Sequence, residues 1–265
     1  MVGLVNVGTQ PYRYDAFYSF CPYNHSCSDF LDCNAGMDKF ALSSKKHGGI
    51  KLEMNVVFLH GLGQSPSSWN ETISCLPEDI KAYCPNLFDF STDRAITYKN
   101  IYLSFEEYVD KFSEPVTICG ISLGAVLALN YCLNHAEKVQ SLILIAPQYK
   151  MPRLLLKFQN ILFRVMPEKS FLGSGIKKQD MIHLTSSMLE LDFEQDLRNI
   201  LCPALIICGK HDLANVKAAK ALAKNIFTAK LCLIDNAGHE INMTASKKLA
   251  DTMNCFLIDN QGATA

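Results

Sequence analysis

The chain has 265 residues, 49% of them hydrophobic and 19% charged, with a formal net charge of −1. That length suits one domain with an insertion, and the composition is that of an ordinary globular protein. The near-zero charge excludes a global field drawing the chain to nucleic acid or to a membrane. The start, Met1-Val2-Gly3-Leu4-Val5-Asn6, has neither a basic region nor a sustained apolar stretch, so no signal peptide is expected. The most apolar stretch, Val116 to Leu129, is too short to span a bilayer. Of the eleven cysteines, Cys119, Cys208 and Cys232 lie in apolar strand-like runs, where free thiols behave as small hydrophobes. This points to a reducing cytoplasm rather than a disulfide scaffold. Cys21, Cys27 and Cys33, with His25 between two of them, are spaced more widely than zinc ligands usually are, so no metal is expected.

Residues 1–53 form an N-terminal extension with no helical period, and only a weak hairpin signal around Lys46-His47-Gly48-Gly49. Loose packing is expected there, with the folded core beginning at Met54. Asn55-Val56-Val57-Phe58-Leu59-His60 reads as a buried strand. Ser65 and Pro66 open a helix through Trp69 and Ile73, and Ile80 to Cys84 reads as a second strand. Tyr98 to Phe112 has a helical period. Strand signals recur at Pro115–Ile118, Ser141–Pro147, Ala204–Gly209 and Leu231–Ile234, with helices at Val216–Phe227 and Thr244–Ile258. Strands alternating with helices predict a mostly parallel sheet with both faces covered. Residues 148–199 are helical, with no strand signal. They read as a cap inserted into a core of 54–147 and 200–265.

The organising stretch is Cys119-Gly120-Ile121-Ser122-Leu123-Gly124, between a β-branched run and a helix-forming one. A serine on such a strand–turn–helix is held in a strained conformation above the sheet, at a helix N-terminus that favours negative charge. Asp212 in Gly209-Lys210-His211-Asp212 and His239 in Asn236-Ala237-Gly238-His239 each follow a strand. All three therefore project from the carboxyl end of the sheet, where ligands gather. Histidine is the base that activates a serine near neutral pH, and a carboxylate fixes its tautomer. Backbone N–H groups of Leu123 and of Leu62, in the glycine-rich loop after the first strand, are the expected oxyanion donors. His60 reads as a structural hydrogen-bonder, Asp235 as a solvated turn residue, and His25, His47, His135 and His183 carry no evident partner.

His-Gly-Leu-Gly, Gly-Ile-Ser-Leu-Gly, Gly-Lys-His-Asp and Asn-Ala-Gly-His, in that order, resemble the matching segments of the α/β-hydrolase superfamily over residues 54 to about 258. The resemblance implies a three-layer α/β-hydrolase fold with a helical cap. It also implies serine-hydrolase chemistry, a triad of Ser122, Asp212 and His239, and no cofactor. One departure is that the two strands usually preceding the oxyanion loop are weak or missing. The expected activity is hydrolysis of a small or medium carboxylic ester through an acyl-enzyme. The alternatives are an acyl thioesterase, a C–C bond hydrolase, or a hydrolase-fold binding module or receptor with residual turnover.

In the cap, Met151, Leu155, Phe158 and Leu162 are candidate substrate-pocket residues. Lys150, Arg153, Lys157 and Arg164 fall on one narrow helical stripe, and from Gln148 to Asp180 basic residues exceed acidic ones by five. The ordinary reading is a solvated face; the sharper one is contact with an anionic carrier or a membrane surface. Oligomeric state has no signal in the sequence.

Overall fold

Six apolar runs become the six strands found among the described residues: β1 (Met54–Leu59), β2 (Ile80–Tyr83), β3 (Val116–Ile121), β4 (Val139–Ile145), β5 (Ala204–Gly209) and β6 (Ala229–Ile234). The computed structural model describes residues 53–91, 95–171 and 175–261. The expectations for residues 1–52, the weak hairpin and the Cys21, Cys27, Cys33 and His25 cluster among them, lie outside these. The strands run parallel throughout in the order β2-β1-β3-β4-β5-β6. The expected mostly parallel sheet is thus wholly parallel here. Its register aligns Phe58, Cys119, Ile143 and Leu205 in one row across the four central strands.

Successive residues of a strand point to opposite faces, so each continuous apolar run supplies two cores. Val57, Leu59, Ile118, Leu142, Leu144 and Ile206 pack under α2 (Tyr98–Val109), α3 (Leu123–Asn134) and α6 (Val216–Asn225). Val56, Phe58, Cys119, Ile121, Ile143 and Ile145 pack under Trp69, α1 (Asn70–Ser74) and α8 (Ser246–Gln261). β3 and β5 are wholly buried, β1 and β4 are buried but for one half-buried residue each, and β2 and β6 are half-exposed, as their edge positions require.

Two expected helices differ from their readings. The first is a 3-10 turn at Pro66–Trp69 that passes into α1. The last, expected over Thr244–Ile258, is α8, preceded by a short unexpected α7 (Ile241–Thr244); Ala245, whose φ of −142° and ψ of 38° leave the helical region, separates the two.

Between β4 and β5 lie α4 (Arg153–Val165) and α5 (Lys178–Ser187). Where the sequence offered no strand signal, an isolated antiparallel bridge joins Lys150 to Asp192. Met151 N donates to Leu191 O (3.0 Å) and Phe193 N to Tyr149 O (2.8 Å), so the two ends of the segment are clasped together where it leaves the sheet.

Among the described residues no helix is long and apolar enough to cross a membrane. Cys119 and Cys208 are buried free thiols, as expected, but Cys232 is disulfide-bonded, which corrects its reading as a third.

Candidate active site

The chain turns sharply at Ser122 between β3 and α3. Its φ of 54° and ψ of −112° are a strained combination for a residue with a Cβ. Its N–H donates to Ile145 O at 3.0 Å, which pins the turn to β4. The turn can be this tight because Gly124 has no side chain: a Cβ there would stand 2.2 Å from Leu59 O. The helix start therefore lies against the end of β1, and the two loops leaving β1 and β3 meet. These neighbouring strands connect onward in opposite directions, the arrangement that opens a ligand crevice at the carboxyl end of a parallel sheet.

The acid and base arrive from β5 and β6. A Cβ on Gly209 would lie 2.3 Å from both Ala237 O and Gly238 O; its absence lets the loop carrying His239 rest on the end of β5. His239 Nδ1 then lies 2.7 Å from Asp212 Oδ2. Ser122 Oγ has no hydrogen-bond partner among the described residues, and it meets His239 and Asp212 as lining of one cavity. Catalytic hydrogen bonds often tighten only once substrate is bound.

Asn215, which the sequence reading missed, completes this pair. Its Nδ2 lies 2.9 Å from Asp212 Oδ1 and 2.9 Å from Oδ2, and 3.1 Å from His239 Nδ1. With the Nδ1 proton directed at Asp212, that ring nitrogen cannot accept, so the amide serves the carboxylate. Gln148 Nε2 donates to Asn215 Oδ1 at 2.8 Å and so aims the amide from the far side. Burial pushes the Asp212 carboxyl up, but the hydrogen bonds from His239 and Asn215 outweigh it and hold the group below the usual carboxylate range. No spacing rule marks either residue: Asn215 looks like an ordinary helix start, and Gln148 is 67 positions away.

The loop after β1 closes through Gln64 N donating to Gly61 O (3.2 Å) and Gly61 N donating to Gln64 Oε1 (3.1 Å). Gln64 Nε2 donates to Asn242 Oδ1 at 3.3 Å, tying this loop to the turn after His239. Among the described residues neither the Leu62 nor the Leu123 N–H donates to a protein acceptor, and both residues line the cavity. His60 is fully buried; its Nδ1–H donates to Gly61 O (2.9 Å) and its Nε2 accepts from Leu87 N (3.1 Å). Burial lowers its pKa, so it is a neutral brace for the loop, as the sequence reading held.

The cavity has a volume of about 470 Å³. Its walls are mostly apolar, with Val126 and Met188 beside Met151, Leu155 and Leu156, and with Gln159 and Thr185 as polar points. Of the four expected pocket residues, Met151 and Leu155 line it. Phe158 and Leu162 do not: they are 59% and 43% exposed on the outside of α4. The helix packs instead through Leu156, Phe163 and the buried Asn160, whose Nδ2 donates to Ser186 Oγ at 3.0 Å. The basic stripe is partly neutralised: Lys150 pairs with Asp192 and Glu194 at 2.9 Å each, and Arg153 pairs with Glu190. Two other polar residues also find partners: His135 binds Glu106 at 2.7 Å, and Asp235 binds Lys210 at 2.5 Å. His211 is exposed beside Asp212 and takes no part in the pair.

Human monoacylglycerol lipase ABHD6 is 23% identical over 256 residues, covering 77% of this chain and 75% of its own length. The pimeloyl-(acyl-carrier protein) methyl ester esterase of Vibrio atlanticus is 19% identical over 242 residues, covering 76% and 93%. Among solved structures, MenH from S. aureus superimposes with a TM-score of 0.70 at 19% identity, over 82% of this chain and 97% of that one. The enol-lactonase from Burkholderia xenovorans LB400 gives 0.70 at 16%, over 81% and 94%. These likenesses carry the fold, and residues 56–252 match the alpha/beta hydrolase family as a whole. With the elbow, the three strand-end loops and the sheet order in agreement, the chain belongs to the alpha/beta hydrolase family.

Proposed function

We propose that the protein is a serine hydrolase of carboxylic esters, with Ser122 as nucleophile, His239 as base, Asp212 as its orienting carboxylate, and the Leu62 and Leu123 N–H groups as oxyanion donors. The observation that carries this reading is the strained Ser122, its Oγ without a hydrogen-bond partner among the described residues, sharing one apolar cavity with the 2.7 Å His239–Asp212 pair. Ser122 Oγ attacks the ester carbonyl carbon as its proton passes to His239 Nε2. The carbonyl oxygen, now anionic, faces the two free N–H groups. Collapse breaks the acyl–oxygen bond, and the alcohol leaves with the proton from His239. Water then repeats the sequence on the acyl-enzyme and releases the acid.

The cavity volume and its apolar wall suit a small or medium acyl chain. The relatives named above as a monoacylglycerol lipase and a methyl ester esterase support an ester rather than another carbonyl substrate. Residues 148–199 act as the cap that closes this pocket. The paired His239 and Asp212 disfavour a binding module or receptor with only residual turnover. The neutralised Lys150 and Arg153 disfavour long-range capture of an anionic carrier. The disulfide at Cys232 weighs against the reducing cytoplasm that the buried free thiols of Cys119 and Cys208 would suit.

The test is turnover of aryl esters of graded chain length and one acyl thioester by wild type and Ser122→Ala, with fluorophosphonate labelling alongside. Loss on the order of 10⁴-fold or more is expected. A variant retaining a tenth of the ester turnover overturns the assignment, and preference for the thioester moves the substrate class.

A further inference from the structure

Six of the eleven strongly exposed large apolar side chains among the described residues belong to one helix: Leu154, Leu155, Phe158, Ile161, Leu162 and Val165 of α4. Taking Arg153 as zero and advancing 100° per residue, they occupy an arc from about 80° to 200°. The packed residues Leu156, Gln159, Asn160 and Phe163 occupy about 240° to 340°, almost opposite. Between the two arcs, at about 0° to 40°, stand Arg153, Lys157 and Arg164. Arg153 is paired with Glu190, whereas Lys157 and Arg164 are exposed and form no ion pair among the described residues. Lys169 and Lys177 are likewise exposed just beyond the helix. The face is therefore an apolar stripe roughly 17 Å long, bordered by cations on one side and held to the protein by the other. It also runs into the site: Leu155 belongs to the stripe and lines the cavity, and Leu213, 78% exposed, stands between the lining residues Asp212 and Ala214.

An apolar stripe bordered by lysine and arginine is the pattern of a helix lying in the plane of a lipid surface, with aliphatic and aromatic side chains below the headgroups and cations among the phosphates. We propose that α4 docks the protein on an anionic lipid bilayer through Leu154, Phe158, Ile161 and Val165, with Lys157 and Arg164 meeting the headgroups. The cavity mouth at Leu155 then faces the lipid, so a lipid-borne ester can enter without crossing water. That route of entry rests on the ester-hydrolase reading; the docking does not. The cations select an anionic surface over a second copy of this chain, which would set like charges against one another.

The experiment is flotation of the full chain with phosphatidylcholine vesicles, with and without phosphatidylserine, at low and high salt. Wild type is expected to float with the anionic vesicles and to lose much of that binding in 1 M salt, where the screening length is about 3 Å. Phe158→Asp with Ile161→Asp alters only exposed side chains, so its melting temperature should stay near wild type while binding falls at least about tenfold, the factor set by each ~1.4 kcal/mol lost. Lys157→Glu with Arg164→Glu should abolish the preference for anionic vesicles. Failure of wild type to float, equal binding by the Asp variant, or equal binding to neutral vesicles each overturns the proposal. So does a wild-type dimer in light scattering that the Asp variant converts to monomer without any vesicle binding. Turnover of a water-soluble ester by the Asp variant separates the two readings: docking can fail while turnover persists, and Ser122→Ala can lose turnover while still floating.

Discussion

Replacing Asn215 with alanine removes the amide that bridges both oxygens of Asp212 at 2.9 Å each. The Asp212 side chain is only 5% exposed, so water replaces the lost donor poorly. A hydrogen bond to a charged acceptor contributes about 1.5–3 kcal/mol. At about 2–4 °C per kcal/mol for a chain of this size, Tm should fall by roughly 3–12 °C. The pH dependence identifies the cause. Asp212 is held below the usual carboxylate range in the folded protein. It therefore contributes stability that is present above the unfolded value near ~3.9 and lost as pH falls through the lower folded value. Alanine raises the folded value and shrinks that contribution. The Tm gap should stay full from pH 7 down to about pH 5 and narrow only below that, as pH passes the unfolded value near ~3.9 and falls towards pH 3. Asn215 makes no side-chain capping bond to α6, so loss of a cap is not a competing cause. The assay is calorimetry of both proteins across that range, with the rate of fluorophosphonate labelling at pH 7 as the functional readout, expected to drop as His239 loses its fixed orientation. A gap that does not change with pH, or a Tm within 1 °C of wild type, refutes the reasoning.

Gly124→Ala places a Cβ 2.2 Å from Leu59 O; overpacking of this kind costs about 1–3 kcal/mol, and here it also displaces Ser122. Both Tm and kcat should fall, and full activity in a stable variant would show that the elbow is not limiting. His60 is buried with its pKa lowered, so it stabilises the fold above the unfolded value near ~6.5 and that stability is lost as pH falls through the folded value. His60→Gln should lower Tm at pH 7 but flatten the decline between pH 7 and 5, as followed by circular dichroism; parallel curves would assign the acid sensitivity elsewhere.

Ser122, Asp212 and His239 were legible as a set because each follows an apolar run, and a parallel sheet delivers every such loop to the same end. The elbow was legible because strand, turn and helix are local and glycine marks a close approach. The two glycine-lined approaches also show where that legibility stops: Gly209 could be seen to end a strand, but not that Ala237 O would occupy the place of its Cβ.

The sequence by itself determined the strands, their parallel stacking and the three residues at their ends, since periodicity and chain order are enough to place them. Only the tertiary structure decided what surrounds them. Asn215 and Gln148 join the site through hydrogen bonds that span 3 and 67 positions, and no local pattern encodes such pairings. Helix α4 is the clearest case. Phe158 and Leu162 on its apolar arc read as pocket lining, yet both are exposed and the polar Asn160 is the residue that is buried, because α5 brings Ser186 to bond it. A helical period reports that two faces differ; which face is covered depends on the partner that another part of the chain supplies.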